Sequence, residues 1–219
     1  MDVRKRVTEI RRRIASAGDP SRVRVVAVTK GFGADAVDAA LRAGIVDIGE
    51  SYAQELLAKA PAVTREGARW HFIGRLQTNK VRAIGDLVDL WQSIDRATLG
   101  DEVAKRVPGA KVLLQVNVTN ETQKGGCGPA EVPQLVRRLQ QSGLEVQGLM
   151  TVGRAGTAAE VRPGFQLLRR LADDLGLPEC SMGMSDDLEV AVEEGSTMVR
   201  VGRALFGERP RSDPAQPAN

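Results

Sequence analysis

The sequence predicts an α/β fold, a single (β/α)8 TIM barrel preceded by an extra N-terminal helix. Short apolar segments alternate with helical segments along the chain, and such alternation implies right-handed crossovers between parallel strands. Eight strands fall within about 200 residues, which is close to the minimum for this barrel. A doubly wound open sheet is the alternative, but no G-x-G-x-x-G motif follows the first strand.

The elements follow one another in a regular order. The first strand, residues 23–29, contains a run of short, mostly β-branched side chains that is typical of a buried strand. Further strands are predicted at residues 45–48, 70–73, 87–91, 110–118, 144–150, 179–182 and 197–201. Helices are predicted at residues 34–43, 51–60, 78–85, 96–106, 130–142, 158–175 and 186–194, with a short closing turn or helix at 203–206.

The two ends of the chain lie outside this alternation. Residues 2–17 are predicted to form an amphipathic helix with a solvated basic face. Its apolar positions at helical spacing are Val3, Val7, Ile10 and Ile14. Residues 208–219 have no apolar face and are predicted to form a disordered C-terminal tail. Residues 1–207 are therefore expected to form one domain.

Charge and composition argue against two classes of function. The net charge is +3, but residues 1–30 alone carry +6 and the remaining chain carries −3, so the basic charge belongs to the first helix. Aromatic residues make up only 3% of the chain, too few for a base-stacking platform. We therefore expect no nucleic-acid partner. We expect no membrane association either, because no apolar run approaches the length of a membrane span.

Cysteine and histidine usage limits the possible metal sites. Cys127 and Cys180 are the only cysteines and match no metal-ligand spacing, which favours reduced thiols in a cytoplasmic protein. His71 is the only histidine, so a His-rich metal site is excluded and a structural role is expected for it. We predict no metal and a monomeric protein.

Lys30 stands at the carboxyl end of the first predicted strand, where α/β barrels place their chemistry. An amine that is desolvated there loses proton affinity from an ordinary pKa of about 10.4 and becomes a nucleophile toward an aldehyde. The alternative is a lysine whose amine reaches from the strand end into water.

A second group of residues suggests an anion site at the same end of the barrel. Ser185 precedes an acidic helical segment and could serve as its N-cap, and Gly202 follows the last strand. The backbone N–H groups of Gly202 and Arg203 would then be open to a phosphate held between the last two loops. The alternative is that Ser185 only caps and Gly202 only turns. A reactive lysine and a phosphate site on one rim together describe pyridoxal 5′-phosphate (PLP).

Several motifs at these positions resemble the pyridoxal phosphate homeostasis protein family, whose members are single barrels similar to the N-terminal domain of alanine racemase. The matching segments are residues 27–30 (AVTK), 49–55 (GESYAQE), 70–80 (WHFIGRLQTNK), 148–150 (GLM), 181–187 (SMGMSDD) and 199–207 (VRVGRALFG). They occur in order and cover the chain from about residue 3 to residue 207.

The resemblance implies a PLP site with named residues. Lys30 is implied to form the Schiff base, and Ser185, Gly202 and the backbone of Arg203 to hold the phosphate. Arg200 is implied to face the pyridine nitrogen. The family has Asn near the cofactor where this chain has Ser51, whose shorter side chain would reach the cofactor directly or through water.

The resemblance also implies a function without substantial catalysis. The protein would be an intracellular carrier and buffer of PLP that supplies PLP-dependent apo-enzymes, and Lys80 and Lys124 are candidate acceptors of transferred cofactor. The alternative is a PLP-dependent amino-acid racemase. That alternative needs a tyrosine opposite the lysine, whereas Tyr52 is the only tyrosine, for which packing or hydrogen bonding is expected.

Overall fold

The computed structural model describes residues 2–119, 121, 124–154 and 156–209. Eight parallel strands close into a barrel in the order β1 to β8, which confirms the predicted fold class. The strands β1 to β8 are Arg24–Val28, Asp47–Glu50, Arg69–Phe72, Leu90–Ile94, Lys111–Gln115, Glu145–Met150, Glu179–Ser181 and Met198–Val201. Most of the proposed tail, residues 210–219, lies outside the described residues.

Helices cover the outside of the barrel. The helices α1 to α9 of the described chain are Val3–Ala17, Ala34–Arg42, Ala53–Lys59, Thr78–Ile84, Ala97–Arg106, Val132–Gln141, Ala158–Asp174, Leu188–Glu193 and Arg203–Phe206. Helix α1 is the extra N-terminal helix, and it packs on α2, α8 and α9. Its buried residues are Val3, Val7, Ile10 and Ile14, as the spacing predicts.

The apolar core has two parts. The larger part lies between the sheet and the helices, where aliphatic side chains of both layers meet. The smaller part fills the barrel and consists of Val26, Leu90, Leu113, Met150 and Met198. Because side chains alternate along a strand, every second residue points into the barrel. The interior also holds polar side chains, among them His71, Gln92, Ser181 and Arg200.

The position of strand β4 was predicted wrongly. Residues 87–91 were expected to form it, but the strand runs from Leu90 to Ile94, and residues 85–87 form a short 3-10 turn. The strand is buried throughout, although it contains Gln92 and Ser93. In the sequence, these two polar residues suggest that the strand has already ended and a loop has begun. Gln92 is stable inside the barrel because its amide is hydrogen-bonded there.

Strand β2 is also displaced from its predicted position, residues 45–48. It spans Asp47–Glu50, so Gly49 and Glu50 belong to the strand rather than to the loop that follows. Glu50 is fully buried, and the amine of Lys59 lies 2.7 Å from its carboxylate. The ion pair makes a charged residue tolerable at a buried strand position, which hydrophobic periodicity does not reveal.

Candidate functional site

A cavity of about 610 Å³ opens at the carboxyl ends of the strands. It contains all the residues proposed as cofactor ligands: Lys30, Ser51, Ser185, Arg200, Gly202 and Arg203. Other lining residues are Val28, Phe32, Ile73, Val152, Met184, Asp186, Gly207, Glu208 and Arg209. The structure therefore brings the candidate residues together at one end of the barrel, where such folds carry their sites.

Strand alternation explains how two cationic side chains reach this cavity. The side chain of Val26 lies in the barrel interior. Lys30 follows Val26 by four residues, an even number, so its side chain lies on the same side of the sheet. Met198 and Arg200 are related in the same way on β8. Strands β1 and β8 are hydrogen-bonded neighbours, with Val26 opposite Arg200. The two cations therefore enter one cavity from adjacent strands.

Lys30 is half-buried and has no ion pair with a carboxylate of the described residues. Burial lowers the pKa of its amine below the usual value. The positive charges of Arg209 and Arg200 lower this pKa further. Glu50 and Glu55 act in the opposite direction without restoring the usual value. A larger fraction of the amine is therefore neutral, and thus nucleophilic, than in an exposed lysine.

A buried ionic cluster holds the backbone beside this lysine. The amine of Lys59 donates to the carbonyl of Thr29 at 2.8 Å, to Glu50 at 2.7 Å and to Glu55 at 2.7 Å. The hydroxyl of Thr29 donates to the same Glu50 oxygen at 2.5 Å. This cluster fixes the residue immediately before Lys30 and so restricts where the amine can point.

The same cluster also fixes the residue after the lysine. The N–H of Gly31 donates to Glu55 at 2.8 Å, and Gly31 has φ of 77°, a conformation that favours glycine. The spacing of Glu55 and Lys59 on one helix was visible in the sequence. Their inward direction was not, because the same i, i+4 spacing occurs on solvated helix faces.

Arg200 is almost completely buried, with 5% of its surface exposed. Its Nη1 donates to the hydroxyl of Ser181 at 2.7 Å, and its Nη2 donates to the carbonyl of Thr151 at 2.7 Å. Burial lowers the pKa of Arg200 to about 10, with Asp187 opposing that shift. The guanidinium therefore remains protonated at neutral pH while its hydrogen bonds go to neutral oxygens.

The loops after β7 and β8 form the candidate anion site. Among the described residues, the N–H groups of Gly202 and Arg203 have no hydrogen-bond partner. A Cβ atom at Gly202 would lie 3.3 Å from the carbonyl oxygen of Val28, so glycine permits the close approach of the two strands. The Ser185 hydroxyl accepts from the N–H of Ala204 at 3.3 Å, which leaves its own proton available to a ligand.

Ser185 is not the N-cap that was considered for it. Helix α8 begins at Leu188 and its N-cap position is Asp187, two residues beyond Ser185. The carboxylate of Asp187 accepts from the N–H of Met184 at 2.5 Å and closes the turn. In the sequence, Asp186 and Asp187 resemble the acidic first turn of a helix. In the structure both precede α8, and Asp187 stabilises the turn before it through the N–H of Met184.

The basic helix α1 holds both halves of the anion site from outside. Arg13 makes a two-bond pair with Glu189 at 2.5 and 2.6 Å and donates to the carbonyl of Ser185 at 3.0 Å. Arg6 donates to the carbonyl of Leu205 at 3.2 Å. The sequence predicted only a solvated face here. These two arginines instead bind the carbonyl of Ser185 in the loop after β7 and the carbonyl of Leu205 in helix α9, which follows Gly202.

Other candidates lie apart from the cavity lining. Tyr52 is 54% exposed, and Lys80 does not line the cavity. Lys124 pairs with Glu121 at 2.6 Å and donates to the carbonyl of Gly153 at 3.1 Å. His71 lies inside the barrel, with its Nε2 atom 3.0 Å from Asp47.

The remaining reactive groups are buried or dispersed. Cys127 and Cys180 are buried free thiols, and burial raises the pKa of each to about 12, so neither is a ready nucleophile. Within the described ranges, no three His, Cys, Asp or Glu side chains are grouped as metal ligands. Over the same residues, no helix has the length and apolar character needed to cross a membrane.

Comparisons with known proteins agree with this geometry. The family described as alanine racemase, N-terminal domain, matches residues 2–210. The pyridoxal phosphate homeostasis protein of Pseudomonas aeruginosa is 40% identical, and the alignment covers 98% of this chain and 97% of that protein. The pyridoxal phosphate homeostasis protein of Aquifex aeolicus is 44% identical, and the alignment covers 76% of this chain and 78% of that protein. PipY of Synechococcus elongatus with PLP bound is 36% identical, with a TM-score of 0.76 over 90% of this chain and 100% of that chain.

Proposed function

The chain belongs to the pyridoxal phosphate homeostasis proteins within the alanine racemase N-terminal domain family, and we propose that it binds PLP covalently through Lys30 and acts in intracellular PLP homeostasis. In this role it keeps the concentration of free PLP low and supplies the cofactor to PLP-dependent apo-enzymes. The relatives' name and the PLP-bound PipY structure support this proposal.

One observation carries the proposal. Lys30 and Arg200 enter the same cavity, and neither forms an ion pair with a carboxylate of the described residues. Two cations without a carboxylate partner favour an anionic ligand. The partly desolvated amine of Lys30 also suits a ligand with a group that reacts with amines.

The residues present fit the three functional parts of PLP. Lys30 would take the aldehyde, Arg200 the ring nitrogen, and the N–H groups of Gly202 and Arg203 the phosphate, together with the Ser185 hydroxyl. Ser51 also lines the cavity and would be available to the cofactor directly or through water. Phosphate held by backbone N–H groups is a recurrent arrangement at the carboxyl ends of barrel strands. Each part of the ligand thus has a partner of matching chemistry.

PLP supplies an aldehyde carbon that condenses with a primary amine, forming a C=N bond and releasing one water. The lowered pKa of Lys30 increases the fraction of neutral amine available for that condensation. Arg200, whose pKa is about 10, stays protonated at neutral pH and would donate a hydrogen bond to the ring nitrogen. A nitrogen held in this way would remain unprotonated, and the ring would then be a weak electron acceptor.

The site is poorly equipped for racemisation. A two-base racemase needs an acid or base on each face of the substrate carbon, and Lys30 provides only one. Tyr52 is the only tyrosine of the chain, and it is largely exposed outside the cavity lining. The described lining contains no histidine or cysteine either. We therefore propose a binding protein with little or no turnover.

Two measurements test the proposal. The purified protein is titrated with PLP while its visible absorbance is followed, and saturable binding near one equivalent is expected. Exchange of the Cα proton of L-alanine in heavy water is then measured with excess PLP-loaded protein. Exchange no faster than with free PLP supports a carrier. Exchange well above that rate, abolished by Lys30→Ala, would identify an enzyme instead.

The proposal includes a monomeric, cytoplasmic carrier that transfers PLP to other proteins. The buried free thiols Cys127 and Cys180 are compatible with a reducing compartment. PLP-loaded protein mixed with an apo-enzyme should restore its activity even when a scavenger removes free PLP. Restoration that disappears with the scavenger would limit the role to buffering. Sedimentation at several concentrations tests the monomer.

A further inference from the structure

A line of buried polar groups runs through the barrel below Arg200. Arg200 Nη1 lies 2.7 Å from Ser181 Oγ, and that oxygen lies 2.6 Å from Gln92 Oε1. Gln92 Nε2 lies 2.6 Å from His71 Nδ1, and His71 Nε2 lies 3.0 Å from Asp47 Oδ1. The three middle residues are at most 2% exposed. An apolar barrel interior thus contains a continuous hydrogen-bonded chain.

The guanidinium at one end and the orientation of the Gln92 amide together give every bond a direction. A guanidinium can only donate, so Ser181 Oγ accepts from Arg200 and its own proton is available to Gln92 Oε1. The Gln92 amide group then donates to His71 Nδ1, which must be unprotonated. His71 consequently carries its proton on Nε2 and donates it to Asp47. In this arrangement each donor points away from Arg200, and His71 carries a single ring proton.

The charge state of Asp47 agrees with this direction. Burial acts to raise the pKa of Asp47, but the hydrogen bonds from His71 and Arg69 and the positive charge of Arg69 act against it, and the pKa lies below the usual value. Asp47 is therefore an ionised acceptor at neutral pH. Arg69 lies 2.9 Å from the second Asp47 oxygen, which leaves the first oxygen to His71.

The reversed arrangement satisfies fewer groups. With the Gln92 amide turned over, His71 Nδ1 would donate to Oε1, and Ser181 would accept from both Gln92 and Arg200. The Ser181 proton would then have no acceptor among its described neighbours. A buried hydroxyl without an acceptor is costly. The reversed state is also the one in which His71 can hold a second proton.

We propose that Ser181, Gln92 and neutral His71 are positioning residues that hold Arg200 in the orientation needed to donate to the ring nitrogen of PLP. The claim about the ring rests on the proposed function, whereas the proton arrangement is a property of the protein alone. Loss of the Ser181 hydroxyl would leave Arg200 with the Thr151 carbonyl as its only described partner, and loss of Gln92 or His71 would leave the Ser181 hydroxyl without the contacts that fix its direction.

The proton arrangement can be measured without cofactor. Because His71 is the only histidine, ¹⁵N-histidine labelling of the untagged protein gives one imidazole to observe by NMR. At neutral pH we expect a neutral ring with the proton on Nε2. In Gln92→Glu the carboxylate can only accept, so Nδ1 should also become protonated. A wild-type ring protonated on Nδ1, alone or as the imidazolium, would overturn the arrangement.

The positioning role is tested with PLP and with 1-deaza-PLP, which lacks the ring nitrogen. Ser181→Ala should weaken PLP binding about tenfold, because a hydrogen bond to a charged group is lost. The same variant should bind the deaza analogue as well as wild type does. Leu113→Val, a change in the same barrel interior outside the chain, should affect both ligands equally.

Two variants of His71 distinguish the contribution of its hydrogen bond from that of its packing. His71→Asn places an oxygen where Nδ1 was and should retain PLP affinity within about threefold, whereas His71→Leu should resemble Ser181→Ala. Equal losses for PLP and the deaza analogue in the chain variants would overturn the positioning role while leaving PLP binding intact. Failure of wild-type protein to bind PLP would overturn the proposed function, and the ring claim with it, while the NMR result would still stand.

Discussion

The two mouths of the barrel differ in how their charges are matched. At the amino end of the strands, Arg24 lies 2.5 Å from Glu179 and Arg69 lies 2.9 Å from Asp47. At the carboxyl end, Lys30 and Arg200 have no carboxylate ion-pair partner within the described chain. The cavities themselves are of similar size, about 510 and 610 Å³. Cavity size therefore does not distinguish the functional mouth, whereas cations that are buried or half-buried without an ion pair do, since Lys111 at the amino end, likewise unpaired among the described residues, is exposed.

This difference shows what each mouth contributes. The paired charges at the amino end are already satisfied by the protein, so a ligand there would have to compete with existing ion pairs. At the carboxyl end, Lys30 and Arg200 are half-buried or buried without a carboxylate partner in the described part of the chain, which has an energetic cost in the folded state. A bound anion would recover that cost, which favours anion binding at this mouth.

The largest expected effect concerns the phosphate. Pyridoxal, which lacks it, should bind at least about 100-fold more weakly than PLP, because two or three charge-assisted hydrogen bonds are lost. Ser185→Ala combined with Gly202→Ala should reduce this preference, since a methyl group at Gly202 would press on the Val28 carbonyl and move the N–H. Affinities are measured by fluorescence titration.

The matched control for this prediction is at the other mouth. Gln147→Ala, in the amino-end cavity, should leave the preference for PLP over pyridoxal unchanged. Equal affinities of the wild-type protein for the two ligands would show that the loops after β7 and β8 do not bind the phosphate.

A smaller effect is expected from the helix that supports these loops. Arg13→Met should weaken PLP binding about three- to tenfold, because the carbonyl of Ser185 and the carboxylate of Glu189 lose a shared partner. Arg12→Met is the control, since Arg12 is exposed and pairs only with Glu9 on the same helix. Identical behaviour of the two variants would show that α1 has no role in holding the site.

A still smaller effect is expected from the charges around Lys30. The rate of PLP attachment should rise with pH through the pKa of Lys30, which lies below its usual value of 10.5. The sign follows from the amine, because only its neutral form attacks. Arg209→Ala removes a positive charge that lowers this pKa, so attachment at neutral pH should become about twofold slower. A faster rate in that variant would contradict this electrostatic explanation.

The smallest effect is expected at the amino end. Arg24→Met breaks the partly exposed pair with Glu179 and should lower the free energy of unfolding by about 1 kcal/mol or less. PLP affinity should not change. Urea unfolding and PLP titration of the same preparation measure both quantities. A large loss of affinity would mean that the two mouths are not independent.

The sequence was sufficient for the fold and for the members of the candidate site. Hydrophobic alternation predicted the number and order of the eight strands, and the strand-end rule placed Lys30 and Gly202 at one mouth. It failed where polar residues are buried. Gln92 in β4 and Glu50 in β2 made strands resemble loops, because the partners that make their burial possible lie on other elements.

The contacts that hold the site in place were harder to predict than the residues that line it. An arginine on an amphipathic helix looks solvated in the sequence, yet Arg13 binds the loop at Ser185, 172 residues away. Lys59 similarly turns inward to the backbone beside Lys30. Such contacts depend on how elements meet in three dimensions, which periodicity within one element does not encode.

The attachment site of PLP is the most direct test of the whole account. The protein is loaded with PLP, reduced with borohydride, digested and analysed by peptide mass spectrometry. We predict that the pyridoxyl group is found on Lys30 and is absent from the corresponding peptide of Lys30→Ala. A pyridoxyl group located mainly on Lys80, Lys124 or Lys59 would contradict the assignment of the carboxyl-end cavity as the cofactor site.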